Sequence, residues 1–110
     1  MEITIDLKEN KKIESITCGF LDSHNSWIFL PKTVFVSFSI DGEGFTNRIG
    51  QKLKDRENYA TPSRKEVVFE NLNQFARYVL VRAVNRKECP RWHAGKGGNA
   101  WVFADEIIVE

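Results

Sequence analysis

Hydrophobic residues recur at every second position along most of this 110-residue chain. Near the start, Ile3, Ile5 and Leu7 alternate with polar residues, and no segment has apolar residues at the spacing of a helix. Because successive side chains of a β-strand point to opposite faces, this alternation predicts β-structure throughout. Seven such segments, separated by turn-forming residues, indicate an all-β antiparallel sandwich formed by a single domain. The predicted strands cover residues 3–7, 16–20, 34–40, 45–49, 67–69, 78–84 and 101–109.

Strands that alternate in direction place every second connection at the same end of the sandwich. The hairpin turn predicted at residues 41–44, where glycine tolerates a positive φ, therefore shares one end with the turns predicted at 9–11 and 71–74. The other end collects three long connections, and loops grouped in this way on a rigid sandwich commonly carry the binding residues. These connections are residues 22–31, 51–63 and 85–99.

The long connections contain side chains that suit a sugar. An exposed indole offers a flat apolar face to the C–H groups of a pyranose ring, and His, Asn and Arg hydrogen-bond hydroxyls in fixed directions. Trp92 is the best candidate platform, because Pro90 and Gly95 restrict the loop around it. The candidate binding residues are His24, Asn25, Trp27, Arg56, Asn58, Trp92 and His93.

Each aromatic candidate also has a purely structural interpretation. Trp27 is followed by three apolar residues, so it could equally cap the hydrophobic core, where Trp is usually found. The polar candidates could be ordinary loop residues that hydrogen-bond a turn. We expect Trp101 in the core, on the same side of the last strand as Phe103, Ile107 and Val109.

The composition limits the classes of partner. Sixteen Lys and Arg are scattered among fifteen Asp and Glu, which leaves a net charge of +1. A nucleic-acid-binding domain usually carries a basic excess, and a membrane-spanning helix needs about 20 consecutive apolar residues. We therefore expect neither nucleic acid nor membrane as a partner, and we expect a monomer. Two cysteines are too few for a disulfide framework, so we predict free thiols at Cys18, buried on a strand, and at Cys89.

Motifs for catalysis are missing from the sequence. Cys89 and His93 have no third residue to orient them as a nucleophile and base, and the His and Cys residues do not have zinc-ligand spacing. The glycines at residues 95–98 lack the flanking pattern of a phosphate-binding loop. Asp105 and Glu106 are adjacent on a strand, so we expect their carboxylates on opposite faces, unable to act together. We expect no catalysis by this chain.

Three segments resemble discoidin domains, the coagulation-factor type C family. Residues 31–46 resemble the strand and Ser-x-Asp-Gly hairpin of those domains, and residues 76–81 resemble their Ala-Arg-Tyr-Ile/Val strand. Residues 104–109 resemble their closing Glu-Ile-x-Val strand. The three segments occur in the same order and span most of the chain. The resemblance implies a discoidin-like (galactose-binding-like) antiparallel jelly-roll β-sandwich.

A narrower resemblance involves residues 19–31 and 89–103, which look like the C-terminal discoidin-like modules of Bacteroides-type family 20 β-hexosaminidases, or chitobiases. It implies that residues 1–110 form a carbohydrate-binding module, similar to those of family 32, from the C-terminal part of a larger glycoside hydrolase. The implied partners are a galactose- or N-acetylhexosamine-type sugar and the catalytic domain of the parent enzyme. The implied location is periplasmic or extracellular.

The same resemblance suggests roles for individual residues. In that family a His, an Arg, an Asn and an aromatic residue hold the sugar, and His24, Arg56, Asn58 and Trp92 could fill those roles. Glu106 matches a glutamate that helps to bind a structural calcium ion. The other calcium ligands precede the position that matches Met1, so we expect this chain to be N-terminally truncated. We expect no cofactor in it, although calcium is possible in the full-length domain.

Three classes of function follow from these observations. The first is a non-catalytic carbohydrate-binding accessory module. The second is a structural spacer of the same fold whose loops pack against the catalytic domain. The third is a discoidin domain that binds protein or a lipid headgroup. Membrane-binding relatives present bare apolar residues at their loop tips, whereas these loops mix Trp with His, Asn and Lys, which favours sugar.

Overall fold

A computed structural model describes residues 1–23, 27–54, 62–85 and 101–110. These residues form seven strands and no helix, arranged in two antiparallel sheets with the orders β1-β6-β3-β4 and β5-β2-β7. The predicted all-β class and sandwich character are therefore confirmed. In chain order the strands are β1 (Glu2–Ile13), β2 (Ile16–Asp22), β3 (Thr33–Ser39), β4 (Thr46–Lys52), β5 (Ser63–Phe69), β6 (Gln74–Val84) and β7 (Phe103–Val109).

The core between the sheets follows from the period-two pattern. On β2, Cys18 and Phe20 are fully buried, and on β3 Val34 and Val36 are fully buried, while the residues between them face away from the core. Cys18 carries a free thiol, and burial raises its pKa to about 11. A thiol with this pKa is protonated and unreactive near neutral pH, so Cys18 acts as a small apolar core residue.

No helix in the described part of the chain has the length and hydropathy to cross a membrane.

The turn predicted at residues 9–11 was wrong, because β1 continues through this polar segment to Ile13. The register of β1 with β6 shifts between Asp6 and Lys11, and Lys8 adopts a positive φ of 76°. This irregularity lies on an edge strand, where an interruption costs few ladder hydrogen bonds and the exposed charges discourage edge-to-edge pairing. The connection to β2 is only two residues long, and both of its backbone N–H groups donate to the Glu110 carbonyl, at 2.7 and 3.0 Å.

The hairpin between β3 and β4 has the turn chemistry that the sequence predicted. Gly42 adopts a positive φ of 82°. The Asp41 carboxylate accepts hydrogen bonds from the backbone N–H groups of Glu43, at 2.9 Å, and Gly44, at 3.1 Å, and from the Ser39 hydroxyl, at 2.9 Å. These three bonds favour the ionised form and lower the pKa of Asp41 to about 2. The turn predicted at residues 71–74 is likewise a short connection, between β5 and β6.

The strand directions place the ends of the three long connections together. In one sheet, Thr33 at the start of β3 pairs with Val84 and with Lys52, the final residues of β6 and β4. In the other sheet, the last residues of β2 pair with Ser63 and Phe103, the first residues of β5 and β7. We call this end of the sandwich the loop end. Within each sheet, the strand ends at which connections 22–31, 51–63 and 85–99 begin or finish therefore lie together, as the direction count predicted.

Candidate functional site

Three large aromatic side chains are exposed at the loop end, and we call them the aromatic patch. The exposed fractions are 40% for Trp27, 61% for Trp101 and 51% for Phe103. The Trp101 backbone N–H donates to the Trp27 carbonyl at 2.9 Å, which makes the two tryptophans neighbours across a backbone hydrogen bond. Phe103 lies two residues after Trp101 and pairs with the half-buried Leu21 of β2. Large aromatic side chains exposed near one another are candidates for a binding surface.

Trp27 is held in place by the backbone around it. Ser23 and Ile28 exchange two backbone hydrogen bonds of 2.9 Å, which fix the backbone directly after Trp27. Trp27 has a φ of 58°, in the left-handed region that bulky side chains rarely adopt. Such a conformation persists only where neighbouring bonds enforce it, and it is common at binding sites. Of the two interpretations left open for Trp27, the exposed one agrees with the structure.

The predicted burial of Trp101 and Phe103 in the core was wrong, and a β-bulge is the reason. Along β7, Gly19 of β2 pairs with Glu106, but the next residue, Phe20, pairs with Ala104. Asp105 is therefore an extra residue between two ladder positions. An extra residue reverses the in–out alternation of every residue on its far side.

The bulge has a direct effect on the aromatic patch. Trp101 and Phe103 would share the core face with Ile107 and Val109 on a regular strand, but the reversal turns both rings outward. The residues that pack against the core on either side of the bulge are Val102, Ala104, Ile107 and Val109. Trp101 and Phe103 are thus candidate functional residues that the sequence interpretation missed. The only signal in the sequence is that Val102 and Ala104 offer an alternative apolar alternation.

The bulge also forms a charged group that we call the arginine cluster. Arg64 of β5 contacts Asp105 Oδ2 at 2.6 Å, Glu66 Oε1 at 2.7 Å and Glu106 Oε2 at 3.6 Å. The hydrogen bonds to Asp105 and then to Glu66 raise the pKa of Arg64 above its ordinary value. The expectation that Asp105 and Glu106 point to opposite faces was wrong, because the bulge lets both carboxylates reach one guanidinium.

Gly19 makes room for the arginine cluster. It lies on β2 between two core-facing residues, so its missing side chain belongs to the outer face of the sheet. A Cβ at Gly19 would lie 2.7 Å from the Arg64 guanidinium carbon, too close for ordinary packing. Arg64 therefore crosses directly over the backbone of β2 to reach the acids of β7. The cluster is a cross-strand clamp on the exposed face of the small sheet.

Glu106, matched by resemblance to a calcium ligand, is the most distant acid of that cluster. Its ion-pair contact with Arg64, at 3.6 Å, already brings a positive charge to the position. Within residues 1–23, 27–54, 62–85 and 101–110, no group of three or more His, Cys, Asp or Glu side chains is arranged to hold a metal ion.

The remaining predicted site residues lie outside the described part of the chain, and Cys89 does too. Of the predicted binding residues, the structure places only Trp27. The other predicted binding residues lie outside the residues that the structure describes, and they belong to the same three connections, whose ends meet at the loop end. They are His24, Asn25, Arg56, Asn58, Trp92 and His93.

Comparison with protein-family models and with curated proteins found no match for this chain. The candidate site therefore rests on the geometry of the chain itself, above all on the aromatic patch.

Proposed function

We propose that this chain is a non-catalytic carbohydrate-binding module that holds a sugar at the loop end. The observation that supports the proposal is the aromatic patch, in which Trp27 and Trp101 are exposed and joined by a backbone hydrogen bond. The proposal includes the discoidin-like jelly-roll topology suggested by the sequence. It also includes attachment to an exported glycoside hydrolase that acts on N-acetylhexosaminides, with galactose- or N-acetylhexosamine-type sugars as ligands.

A bound sugar needs two kinds of contact, apolar stacking and directional hydrogen bonds. The C–H face of a pyranose is apolar and loses water favourably against an aromatic ring, while the indole N–H of a tryptophan remains able to donate a hydrogen bond. Two tryptophans and Phe103 supply this surface. Strand pairing holds the backbone at Phe103, and backbone hydrogen bonds hold it at Trp27 and Trp101, so little conformational entropy is lost when a ligand binds.

Directional hydrogen bonds complete the proposed site. His24 and Asn25 lie three and two positions before Trp27 in the sequence, and Arg56, Asn58, Trp92 and His93 belong to the other two connections. In the proposal these residues bond the hydroxyl groups and set the choice of sugar. An open site of this kind buries little of its ligand, so a single sugar should bind with a dissociation constant on the order of millimolar. Such weak binding suffices for a tethered module, because the tether raises the effective concentration of the sites.

The test is a titration of the chain with galactose, N-acetylgalactosamine, N-acetylglucosamine and chitobiose, followed by tryptophan fluorescence and amide chemical shifts. Replacement of Trp101 or Trp92 by alanine should weaken binding at least about 10-fold while the rest of the amide spectrum stays unchanged. The matched control is Phe75→Ala, which removes a ring that is 66% exposed but lies at the start of β6, away from the loop end.

The proposal is contradicted if no sugar binds to the chain, or if Phe75→Ala weakens sugar binding as much as Trp101→Ala does.

A second candidate function is a spacer that packs against a catalytic domain, and one observation favours it. Phe103 lies on a strand rather than on a loop tip, so part of the aromatic patch is a sheet face of the kind that domains use for packing. A module that binds no sugar would fit the spacer.

A further inference from the structure

We propose that the outer face of the four-stranded sheet carries a second binding site, for the oxyanion of a carboxylate, sulfate or phosphate group. The site is a shallow hollow of about 140 Å³ that contains two arginines and one aromatic ring. We call it the arginine hollow. Its lining residues are Glu2, Phe35, Ser37, Arg48, Leu80 and Arg82.

Strand register brings these residues together from four different strands. Phe35 on β3 pairs with Arg82 on β6 and with Gly50 on β4, and Glu2 on β1 pairs with Arg82 on its other side. The neighbours of Phe35 and Arg82 along their strands are buried in the core, so these two side chains share the outer face. The hollow is thus built on paired strands, which hold its groups in position, and the register of β3 with β4 shifts beside it, between Val36 and Phe38.

A glycine and an aromatic ring position Arg48. A Cβ at Gly50 would lie only 2.6 Å from Phe35 Cε1, so the absence of a side chain there lets the ring of Phe35 lie over β4. The Arg48 guanidinium carbon lies 3.8 Å from the centre of that ring. A guanidinium that rests on an aromatic face keeps its N–H edge available for acceptors, and this edge matches the paired oxygens of an oxyanion.

The charge balance of the hollow favours an anion. The described residues include four arginines, of which Arg64 and Arg77 form ion pairs with carboxylates. No ion pair within the described ranges involves Arg48 or Arg82. Glu2 is the one carboxylate that lines the hollow, against two guanidinium groups. An oxyanion would therefore meet a net positive charge and up to two charge-assisted hydrogen-bonding partners.

The size and lining of the hollow limit the ligand to one small charged group. Its volume of about 140 Å³ is below the roughly 300 Å³ at which pockets begin to hold a whole drug-sized ligand. Ser37 adds a hydroxyl, and the half-buried Leu80 adds an apolar contact for the carbon that bears the charge. A sugar acid, a sulfate ester and a phosphate ester all present this chemistry. The proposal does not depend on sugar binding at the loop end.

The test is a titration of the isotopically labelled chain, at constant ionic strength, with sodium sulfate, sodium phosphate and sodium glucuronate, and with glucose as the neutral reference. The anions should give saturable amide shifts centred on Phe35, Ser37 and Arg82, with a dissociation constant on the order of millimolar, while glucose should give none there. The relative affinities of the three anions identify the source of the oxyanion. Arg48→Gln and Arg82→Gln should each weaken binding about 10-fold. The charge-matched control, Lys65→Gln on the other sheet, should leave it unchanged.

Two further variants separate a built site from a diffuse charge effect. Arg48→Lys keeps the charge but loses the planar fork, so it should weaken binding nearly as much as Arg48→Gln. Glu2→Gln removes the opposing carboxylate and should strengthen binding several-fold. The proposal is overturned if none of the three anions gives saturable shifts, or if Lys65→Gln weakens binding as much as Arg82→Gln. If no sugar binds at Trp27 and Trp101, the oxyanion-binding result still stands, because the two sites are formed by different residues.

Discussion

On the outer face of the three-stranded sheet, Arg64 contacts three carboxylates, whereas Arg48 and Arg82 on the outer face of the four-stranded sheet form no ion pair with any described residue. Each face also uses a glycine to let a large side chain cross a strand. Gly19 makes room for Arg64, and Gly50 makes room for the ring of Phe35.

The same residue type serves two purposes on the two faces. A guanidinium surrounded by carboxylates satisfies its donors internally and holds three strands together. A guanidinium that rests on an aromatic ring is equally well positioned, but its donors remain available to a ligand. Position therefore comes from the glycine and the strand register in both cases, while the neighbouring acids decide whether the arginine is structural or available for binding.

The largest expected effect comes from the core that the two faces share. Phe20 is fully buried between the sheets, so Phe20→Ala should lower the free energy of unfolding by about 3–5 kcal/mol through lost burial and a residual cavity. Urea unfolding monitored by tryptophan fluorescence measures the change. The exposed Phe75 is the matched control, and Phe75→Ala should cost no more than about 0.5 kcal/mol. Equal losses for the two variants would contradict the assignment of Phe20 to the common core.

Alanine substitutions at the two glycines test the difference between the two faces most directly. Gly50→Ala should displace the Phe35 ring and with it Arg48, which lowers stability by roughly 1 kcal/mol and weakens oxyanion binding although no charge is removed. Gly19→Ala should displace the side-chain ends of Arg64 and Asp105 on the other sheet and leave oxyanion binding unchanged. Amide shift titrations of both variants with sulfate measure the difference. The comparison fails if both alanine variants bind the anion as the unmodified chain does.

The smallest expected effect is the loss of folding stability in acid that comes from the ion pair between Arg77 and Asp6. Hydrogen bonds from Arg77, at 2.8 and 3.0 Å, and from the Lys8 backbone N–H lower the pKa of Asp6 from 3.8 to about 2. Because the folded-state pKa is depressed, this contribution is fully present above about pH 4 and is lost as the pH falls through about 2. The melting temperature measured across that range should fall less steeply for Asp6→Asn than for the unmodified chain.

The control for this measurement is Glu70→Gln, which removes an exposed carboxylate that has no ion pair in the described structure. Its melting temperature should follow the unmodified chain throughout the acid range. If Asp6→Asn also follows the unmodified chain, the hydrogen bonds of Asp6 do not contribute to the acid response. Asp41, whose pKa is likewise about 2, would then be the group to replace next.

Local patterns in the sequence were sufficient for much of the fold. The alternation that predicted seven strands and buried Cys18 is a property of residues two positions apart, and the turn at Asp41 and Gly42 depends on residues within a few positions. The direction count that placed three long connections at one end needed only the number of strands. The predicted binding residue that the structure describes, Trp27, is indeed exposed there.

The candidate sites depended on information that no local pattern contains. The bulge at Asp105 depends on how the residues of β7 pair with those of β2. Because of it, Trp101 and Phe103 point outward. It also brings the carboxylates of Asp105 and Glu106 to Arg64.

Period-two alternation and turn chemistry, which can be read along the chain, thus specify the strand content, the core-facing residues of β2, β3 and β5, and the end where the long connections meet. Which aromatic residues are exposed on β7 and which arginines are neutralised depends on how the strands pair. Both properties arise from register between strands that lie far apart in the chain, and a shift of one residue in register reverses every side chain beyond it.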